Sequence, residues 1–303
     1  MKFVTVMYRN DQIIGVVSNE KPLEILNLTE AAQNFAYSLP PTLLDGIRQG
    51  ESFTKMVEEI MGKIQSDSGR SKYILQGEDF NLLAPIPKPA KNIFCIGKNY
   101  RDHALELGTE ADIPEVPMVF SKTPTTVIGP GGTITISDTI TKALDYEGEL
   151  AVVIGKTGKG INQDEAYNYV FGYTILNDIT ARDLQTRHKQ FLIGKSLDSS
   201  CPMGPYLVHK NSVDSPNELH IKTTVNGEVR QDANTSQMIF DIPTLIETLS
   251  KGMTLEAGDI IATGTPAGVG KGFDPPKYLQ DSDVVSIEIE KLGNLTNTVA
   301  KNV

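Results

Sequence analysis

Apolar and polar side chains alternate between residues 144 and 154, which predicts a β-strand because neighbouring side chains on a strand point to opposite faces. One face carries Leu144, Tyr146, Leu150, Val152 and Ile154. The other face carries Asp145, Glu147 and Glu149. Carboxylates two residues apart on a strand lie roughly 7 Å apart at their Cα atoms, so their burial requires a positive charge between them. A bound divalent cation and an edge strand with a solvated acidic face both explain this pattern, and the stretch alone leaves the two interpretations open.

A second predicted strand, residues 170–178, ends in Asp178 just before a polar turn. An aspartate at the end of a strand can point into a site that the neighbouring strand helps to form. Glu147, Glu149 and Asp178 would then supply three oxygen ligands and leave positions for water and substrate. Carboxylate oxygens suit hard cations, so this set favours Mg²⁺ or Mn²⁺ over zinc.

The N-terminal part of the chain mixes strand and helix patterns. Residues 3–18 predict a β-hairpin that turns at residues 9–11. Apolar residues at helical spacing predict one helix after Pro41 and another across residues 53–64. These apolar side chains are interpreted as core residues.

Prolines at positions 85, 87 and 89 interrupt the pattern and predict a crossing between two units. We therefore predict a small α+β N-terminal cap domain over residues 1–85 and a catalytic domain over residues 86–303. Beyond residue 90 the chain consists mainly of short strand patterns, which predicts a mixed, mostly antiparallel sheet architecture. The predicted fold class is α+β and strand-rich.

Charge and hydropathy restrict the class of protein. The net charge is −10, from 28 basic and 38 acidic residues, which argues against nucleic acid as a partner. An acidic protein that binds an anionic substrate must concentrate positive charge locally, and this is a further argument for a metal. No apolar run approaches the ~18 residues of a membrane span, and the N-terminus lacks the features of a signal peptide, so we expect a cytoplasmic protein.

The cysteines and histidines show no spacing typical of a metal or disulfide framework. Cys95 and Cys201 form no CxxC pair and are predicted to be buried, inert thiols. The four histidines show neither an HExxH motif nor a paired zinc spacing.

Five segments carry motifs that occur together in one order, namely residues 96–106, 146–150, 177–185, 194–198 and 263–270. Together they resemble the fumarylacetoacetate hydrolase superfamily over roughly residues 90 to 300, and in particular its acylpyruvase and oxaloacetate decarboxylase branch. The resemblance implies that the catalytic domain is a mixed β-roll and that the protein is a homodimer. It also implies that Glu147, Glu149 and Asp178 bind Mg²⁺ or Mn²⁺.

The resemblance assigns roles to residues whose local pattern is ambiguous. His103 and Glu106 would share one face of a helix, and the resemblance makes them a general acid/base dyad, although a lone histidine in a polar segment is more often a surface residue. It directs Lys195 at the substrate, where local evidence indicates only a surface lysine. The polar segment from Lys98 to Glu115 has the composition of a mobile lid.

The remaining predicted contacts are with the substrate. The resemblance places Arg182 and Gln185 against its acid and carbonyl groups and Thr265 against its carboxylate. Arg182 is equally compatible with a helix-surface charge. Gly264 begins a glycine-rich turn whose backbone N–H groups suit a carboxylate, although a purely structural turn explains the local pattern as well.

The resemblance implies an enzyme that breaks a C–C bond next to a carbonyl in a small 2-keto dicarboxylic acid or acylpyruvate. The favoured reaction is decarboxylation of oxaloacetate to pyruvate and CO₂ through a pyruvate enolate held on the metal. In the first alternative, His103 activates water for hydrolysis of an acylpyruvate or a substrate of the fumarylacetoacetate type. The second is isomerisation of 2-hydroxyhepta-2,4-diene-1,7-dioate, and a non-enzymatic scaffold role is the least favoured.

Overall fold

The computed structural model describes residues 1–77 and 79–301. Its N-terminal part contains the strands and helices β1 (Lys2–Tyr8), β2 (Asp11–Glu20), β3 (Leu23–Asn27), α1 (Leu28–Asn34), α2 (Leu43–Gln49), α3 (Glu51–Ser66), β4 (Ile74–Gln76) and β5 (Phe80–Leu82). The predicted hairpin is present as β1 and β2, and its turn uses positive φ angles of 50° at Arg9 and 69° at Asn10. Such a turn follows the right-handed twist of the strands that it joins.

From residue 93 onwards the chain is rich in strands. Its first half contains β6 (Ile93–Gly97), α4 (Arg101–Glu106), β7 (Met118–Lys122), β8 (Val127–Ile128), β9 (Thr133–Thr135), β10 (Leu144–Asp145), β11 (Gly148–Ile154), β12 (Val170–Asn177), β13 (Thr180–Ala181), α5 (Arg182–His188) and α6 (Leu192–Lys195). Its second half contains β14 (Cys201–His209), β15 (His220–Val225), β16 (Glu228–Asn234), α7 (Ile242–Gly252), β17 (Ile260–Ala262), β18 (Val284–Ile289) and β19 (Gly293–Ala300).

These strands form one large sheet, one smaller sheet and a short ribbon. The large sheet has the order β4-β3-β2-β1-β14-β12-β11-β17-β6-β7, with β5 on β1 and β8 on β14. The smaller sheet has the order β16-β15-β18-β19-β9, and β10 pairs with β13. Most pairs are antiparallel, while β6–β17, β8–β14 and β9–β19 are parallel. The predicted strand-rich α+β fold with mixed sheets is confirmed.

The large sheet is covered on both faces, and β11 lies in its interior. On one face, Leu150 and Val152 join a hydrophobic cluster with residues of the smaller sheet such as Ile287. On the other face, Ala151 and Val153 join a cluster with residues of α3 and α2. Since β11 pairs with β12 and β17 and all its residues are buried, the interpretation of this stretch as a solvated edge strand is wrong.

The N-terminal strands belong to the same sheet as β11 and β12. β1 pairs with β14 in antiparallel register, Phe3 opposite Leu207. The division into domains at residues 85 and 86 stays a prediction. Within residues 1–77 and 79–301, no helix is long and apolar enough to cross a membrane.

Candidate active site

The three predicted metal ligands meet where β11 begins and β12 ends. The two strands are antiparallel neighbours with Gly148 opposite Asn177, so Glu147 and Asp178 flank the same end of the pair. The backbone N–H of Asp178 donates to the carbonyl oxygen of Glu147 over 2.9 Å, which fixes the two residues side by side. One ligand atom from each of Glu147, Glu149 and Asp178 lies within 4.8 Å of the others, and all three residues are buried.

Three cations surround two of these carboxylates. Lys195 Nζ lies 2.7 Å from both Glu147 Oε2 and Asp178 Oδ2, and Arg182 Nη1 lies 2.7 Å from Glu147 Oε1. Burial alone would raise the pKa of Glu147, but the charges of Lys195 and Arg182 outweigh it and lower this pKa to about 2. Lys122 Nζ lies 2.8 Å from Asp178 Oδ1. Glu147 and Asp178 are therefore neutralised by the protein itself.

Glu149 differs from its two neighbours because no lysine, arginine or histidine of the described chain forms an ion pair with it. Its Oε2 accepts a hydrogen bond of 2.9 Å from the backbone N–H of Gly264. Burial, together with the charges of Asp178 and Glu147, raises its pKa well above the usual value. A buried carboxylate without a counter-charge, next to two others, fits a hard divalent cation that accepts oxygen ligands.

A cavity of about 210 Å³ opens beside the carboxylates. It brings together six of the predicted site residues, namely His103, Glu147, Arg182, Gln185, Lys195 and Thr265. Its apolar wall includes Met118, Phe120 and Phe191, and Lys98 and Lys271 add positive charge. A small anionic molecule with an apolar middle fits this lining.

The predicted acid/base dyad is assembled over this cavity by α4. His103 Nδ1 lies 2.6 Å from Glu106 Oε1, and Glu106 Oε2 accepts a hydrogen bond of 2.8 Å from the backbone N–H of Gly268. Since Nδ1 is engaged by Glu106, Nε2 is the ring nitrogen left for the cavity. The start of the lid segment is held by Asn99, whose Nδ2 donates to the carbonyl oxygen of Thr263 over 2.7 Å. The mobility of residues 98–115 stays a prediction.

The glycine-rich loop after β17 is hydrogen-bonded to Glu149, one of the predicted metal ligands, and to its neighbour Gly148. Gly264 has a φ of 102°, and a Cβ at this position would lie 2.8 Å from the Cβ of Asn99. Its N–H already binds Glu149, while Thr265 Oγ1 donates to the carbonyl oxygen of Gly148 over 2.9 Å. These hydrogen bonds of Gly264 and Thr265 hold the loop in place. The predicted contacts of both residues with the substrate stay predictions.

The structure adds three residues that sequence reasoning missed. Lys122 is buried at the end of β7, and its sequence signal is the spacing of two that puts it on the same strand face as Met118 and Phe120. Asp145 lies on β10, outside the strand that carries Glu149, and binds Arg182 Nε over 2.8 Å instead of joining the triad. Gln231 gave no signal, because nothing along the chain distinguishes a buried glutamine from an exposed one.

Gln231 provides a test of how the loop is supported. Its Oε1 accepts from the N–H of Gly148 over 3.0 Å, and its Nε2 donates to Thr265 Oγ1 over 2.7 Å and to the carbonyl oxygen of Pro266 over 2.8 Å. Gln231→Leu leaves these buried groups unpaired, so we expect the free energy of unfolding to fall by about 2–4 kcal/mol in urea titrations. Gln12→Leu, at an exposed position of β2, is the control and should change it by less than about 0.5 kcal/mol. Similar losses in both variants would contradict this role.

Comparisons with known proteins agree with this architecture. Residues 92–300 match the family model described as the C-terminal domain of fumarylacetoacetate hydrolase. The oxaloacetate tautomerase YisK of Bacillus subtilis (strain 168) is 54% identical over 302 residues, which cover 99% of this chain and 100% of the relative. The structure of a fumarylacetoacetate hydrolase from Exiguobacterium antarcticum is 40% identical, with a TM-score of 0.83 and 100% of both chains covered. A 2-hydroxyhepta-2,4-diene-1,7-dioate isomerase from Mycobacterium marinum is 32% identical, with a TM-score of 0.75, and the match covers 100% of this chain and 99% of that one.

Proposed function

The chain belongs to the fumarylacetoacetate hydrolase family, and we propose that it catalyses the keto–enol tautomerisation of oxaloacetate in the cavity beside Glu147, Glu149 and Asp178. An enzyme that acts on dicarbonyl acids is supported by the family match and by the relatives. The specific reaction is supported by the 54% identity to a protein named as an oxaloacetate tautomerase. The sequence favoured decarboxylation, in which a C–C bond at C3 breaks. In tautomerisation, a C–H bond at C3 breaks instead.

One observation carries the proposal, namely that a histidine oriented by a carboxylate lines the same cavity as Glu147, one member of the triad. His103 Nε2 removes a proton from C3 of oxaloacetate, and the electrons of that C–H bond move to form the C2–C3 double bond and a negative oxygen at C2. The proton then returns to this oxygen from the imidazolium, directly or through water, so no atom is gained or lost. Glu106 stabilises the imidazolium that forms in between.

Glu147, Glu149 and Asp178 would hold the divalent cation, for which we propose Mg²⁺ or Mn²⁺. When bound, the cation supplies Lewis-acid stabilisation of negative charge on the 2-oxo acid group. Lys195 contributes a fixed positive charge on the same side of the cavity, because Glu147 and Asp178 hold its ammonium group.

Arg182 and Gln185 are proposed to orient the substrate. Arg182 lines the cavity, and its buried Nη2 has no hydrogen-bond partner within the described part of the chain. A buried guanidinium N–H without a partner is costly, and a substrate carboxylate would satisfy it. Thr265 lines the same cavity.

Decarboxylation of oxaloacetate is the second candidate, and the apolar wall of the cavity favours it. Loss of CO₂ from C4 pushes electrons into the same C2 carbonyl group as loss of the C3 proton. Met118, Phe120 and Phe191 line the cavity, and an apolar surface next to the C4 carboxylate would destabilise its charge and promote CO₂ release.

Two assays separate the candidates. Starting from enol-rich oxaloacetate with Mg²⁺ or Mn²⁺, we expect the enzyme to accelerate the decay of enol absorbance well above the spontaneous rate, with no matching release of pyruvate. The 3,3-dimethyl analogue of oxaloacetate has no hydrogen at C3, so it cannot enolise but can still lose CO₂. Release of CO₂ from both compounds at similar rates would establish the decarboxylase. An enol decay that matches the spontaneous rate with either metal would contradict the tautomerase.

A further inference from the structure

Lys271 lines the active-site cavity but has no part in the chemistry described so far. It follows the glycine-rich loop, and its backbone N–H donates to Asp145 Oδ2 over 3.0 Å. The same carboxylate of Asp145 binds Arg182 Nε over 2.8 Å and the N–H of Gly270 over 2.7 Å. Asp145 therefore fixes the main chain at Lys271 next to the guanidinium of Arg182.

The other cations of the cavity already have carboxylate partners. Lys195 is paired with Glu147 and Asp178, and Lys98 Nζ lies 3.3 Å from Asp112 Oδ1. Within residues 1–77 and 79–301, no carboxylate lies at ion-pair distance from the ammonium of Lys271. Burial and then the charge of Arg182 lower the pKa of Lys271, while Asp145 acts in the opposite direction. A negatively charged ligand group at this position would therefore be stabilised.

Two cavity-lining residues whose positions are tied by Asp145 thus have N–H donors without a partner in the described part of the chain, namely Lys271 at the exposed Nζ and Arg182 at the buried Nη2. Two donors of this kind suit the two oxygens of a carboxylate. Glu147 of the carboxylate triad lines the same cavity, and the triad suits the 2-oxo acid group through a cation, so the second acid group of a dicarboxylate is left for Lys271 and Arg182.

We infer that Lys271 binds the distal carboxylate of the substrate and makes the site select 2-oxo dicarboxylates over acylpyruvates with an uncharged tail. The inference rests on the proposed function and specifies its substrate class. A consequence is that the C4 carboxylate of oxaloacetate keeps its negative charge in the complex. Since CO₂ release removes that charge, this contact disfavours decarboxylation and leaves tautomerisation as the open path.

Lys271→Gln tests the contact through binding, without any need for turnover. N-oxalylglycine has a 2-oxo acid group and a distal carboxylate, its methyl ester at the glycine end lacks that charge, and oxalate has no distal group. In calorimetric titrations of the Mg²⁺-loaded protein, Lys271→Gln should lower the affinity for N-oxalylglycine about tenfold. This is the loss expected when a charged hydrogen bond at a partly solvated position is removed. The affinities for the ester and for oxalate should change by less than about twofold. Lys271→Arg should restore most of the lost affinity.

The kinetic counterpart is a rise in KM for oxaloacetate in Lys271→Gln with little change in kcat. Lys277→Gln is the matched control, because Lys277 follows in the same loop region but pairs with Glu228 over 2.7 Å and does not line the cavity. An equal loss of affinity for oxalate and for N-oxalylglycine would mean that Lys271 acts only through its overall charge, and this would overturn the inference. Unchanged binding of N-oxalylglycine would also overturn it. Neither result bears on the proposed reaction. That reaction would be contradicted if the wild-type protein bound these ligands but did not accelerate enol decay.

Discussion

Replacing Glu149 with glutamine is expected to lower turnover by at least about 10³-fold, since a metal ion contributes several kcal/mol of charge stabilisation in the transition state. The amide keeps the shape of the side chain, and its oxygen can still accept the N–H of Gly264, so the loop should stay in place. Titration calorimetry should show weaker binding of Mg²⁺ and Mn²⁺. EDTA should inactivate the wild-type enzyme in the same way, and added metal should restore it.

The same substitution should have the opposite effect on the stability of the metal-free protein. The folded-state pKa of Glu149 is raised, because burial and then Asp178 and Glu147 oppose its charge. A carboxyl group with a raised folded-state pKa costs stability as the pH rises above its unfolded value of about 4.3. Metal-free Glu149→Gln should therefore melt at a higher temperature than the metal-free wild type at pH 7, and the difference should shrink towards pH 4.

Glu288→Gln, at an exposed position of β18, is the control for the loss of one negative charge. It should leave metal affinity, turnover and melting temperature unchanged. Full activity of Glu149→Gln, or of the wild type in excess EDTA, would contradict the metal site. A metal-free Glu149→Gln that melts below the wild type at pH 7 would contradict the view that this carboxylate lacks a counter-charge.

Replacing His103 with asparagine is expected to slow tautomerisation by about 10²- to 10⁴-fold, the contribution of a positioned general base. None of the proposed metal ligands changes, so the affinity for Mg²⁺ should stay within about threefold of the wild type, far from the loss expected for a missing ligand. Enol decay followed by absorbance, together with calorimetry of metal binding, measures both effects.

Glu106→Gln separates orientation from proton transfer. It removes the charge that stabilises the imidazolium, while the amide oxygen can still accept the N–H of Gly268. Its loss of activity should be smaller than that of His103→Asn, because the imidazole itself remains beside the cavity and loses only the partner that orients its Nδ1. Wild-type rates in His103→Asn would remove the base from the mechanism and leave the triad with Lys195 as the catalytic groups.

Much of the fold was determined by local patterns along the chain. The alternation across residues 144–154 predicted a strand, and β11 occupies most of that stretch. The hairpin of β1 and β2, the helices α2 and α3 and the strand β18 follow from periodicity and turn residues in the same way. The three predicted ligands Glu147, Glu149 and Asp178 do lie together, because two of them are two residues apart and the third follows the adjacent strand. Their binding of a metal stays a prediction. Homodimer formation, cytoplasmic location and the boundary at residue 85 stay predictions.

Only the tertiary structure decided which side chains meet at the site. The alternating pattern put Asp145 on the same face as Glu147 and Glu149, but the strand is interrupted at residues 146 and 147, and Asp145 binds Arg182 and the loop before Lys271. Lys122 reaches Asp178, and Lys271 reaches the cavity, through contacts between segments far apart in the chain. Periodicity shows which face of an element is buried, because side chains on one face recur at a fixed short spacing along the chain. It carries no information on which distant element covers that face, and the counter-charges of this site come from such distant elements.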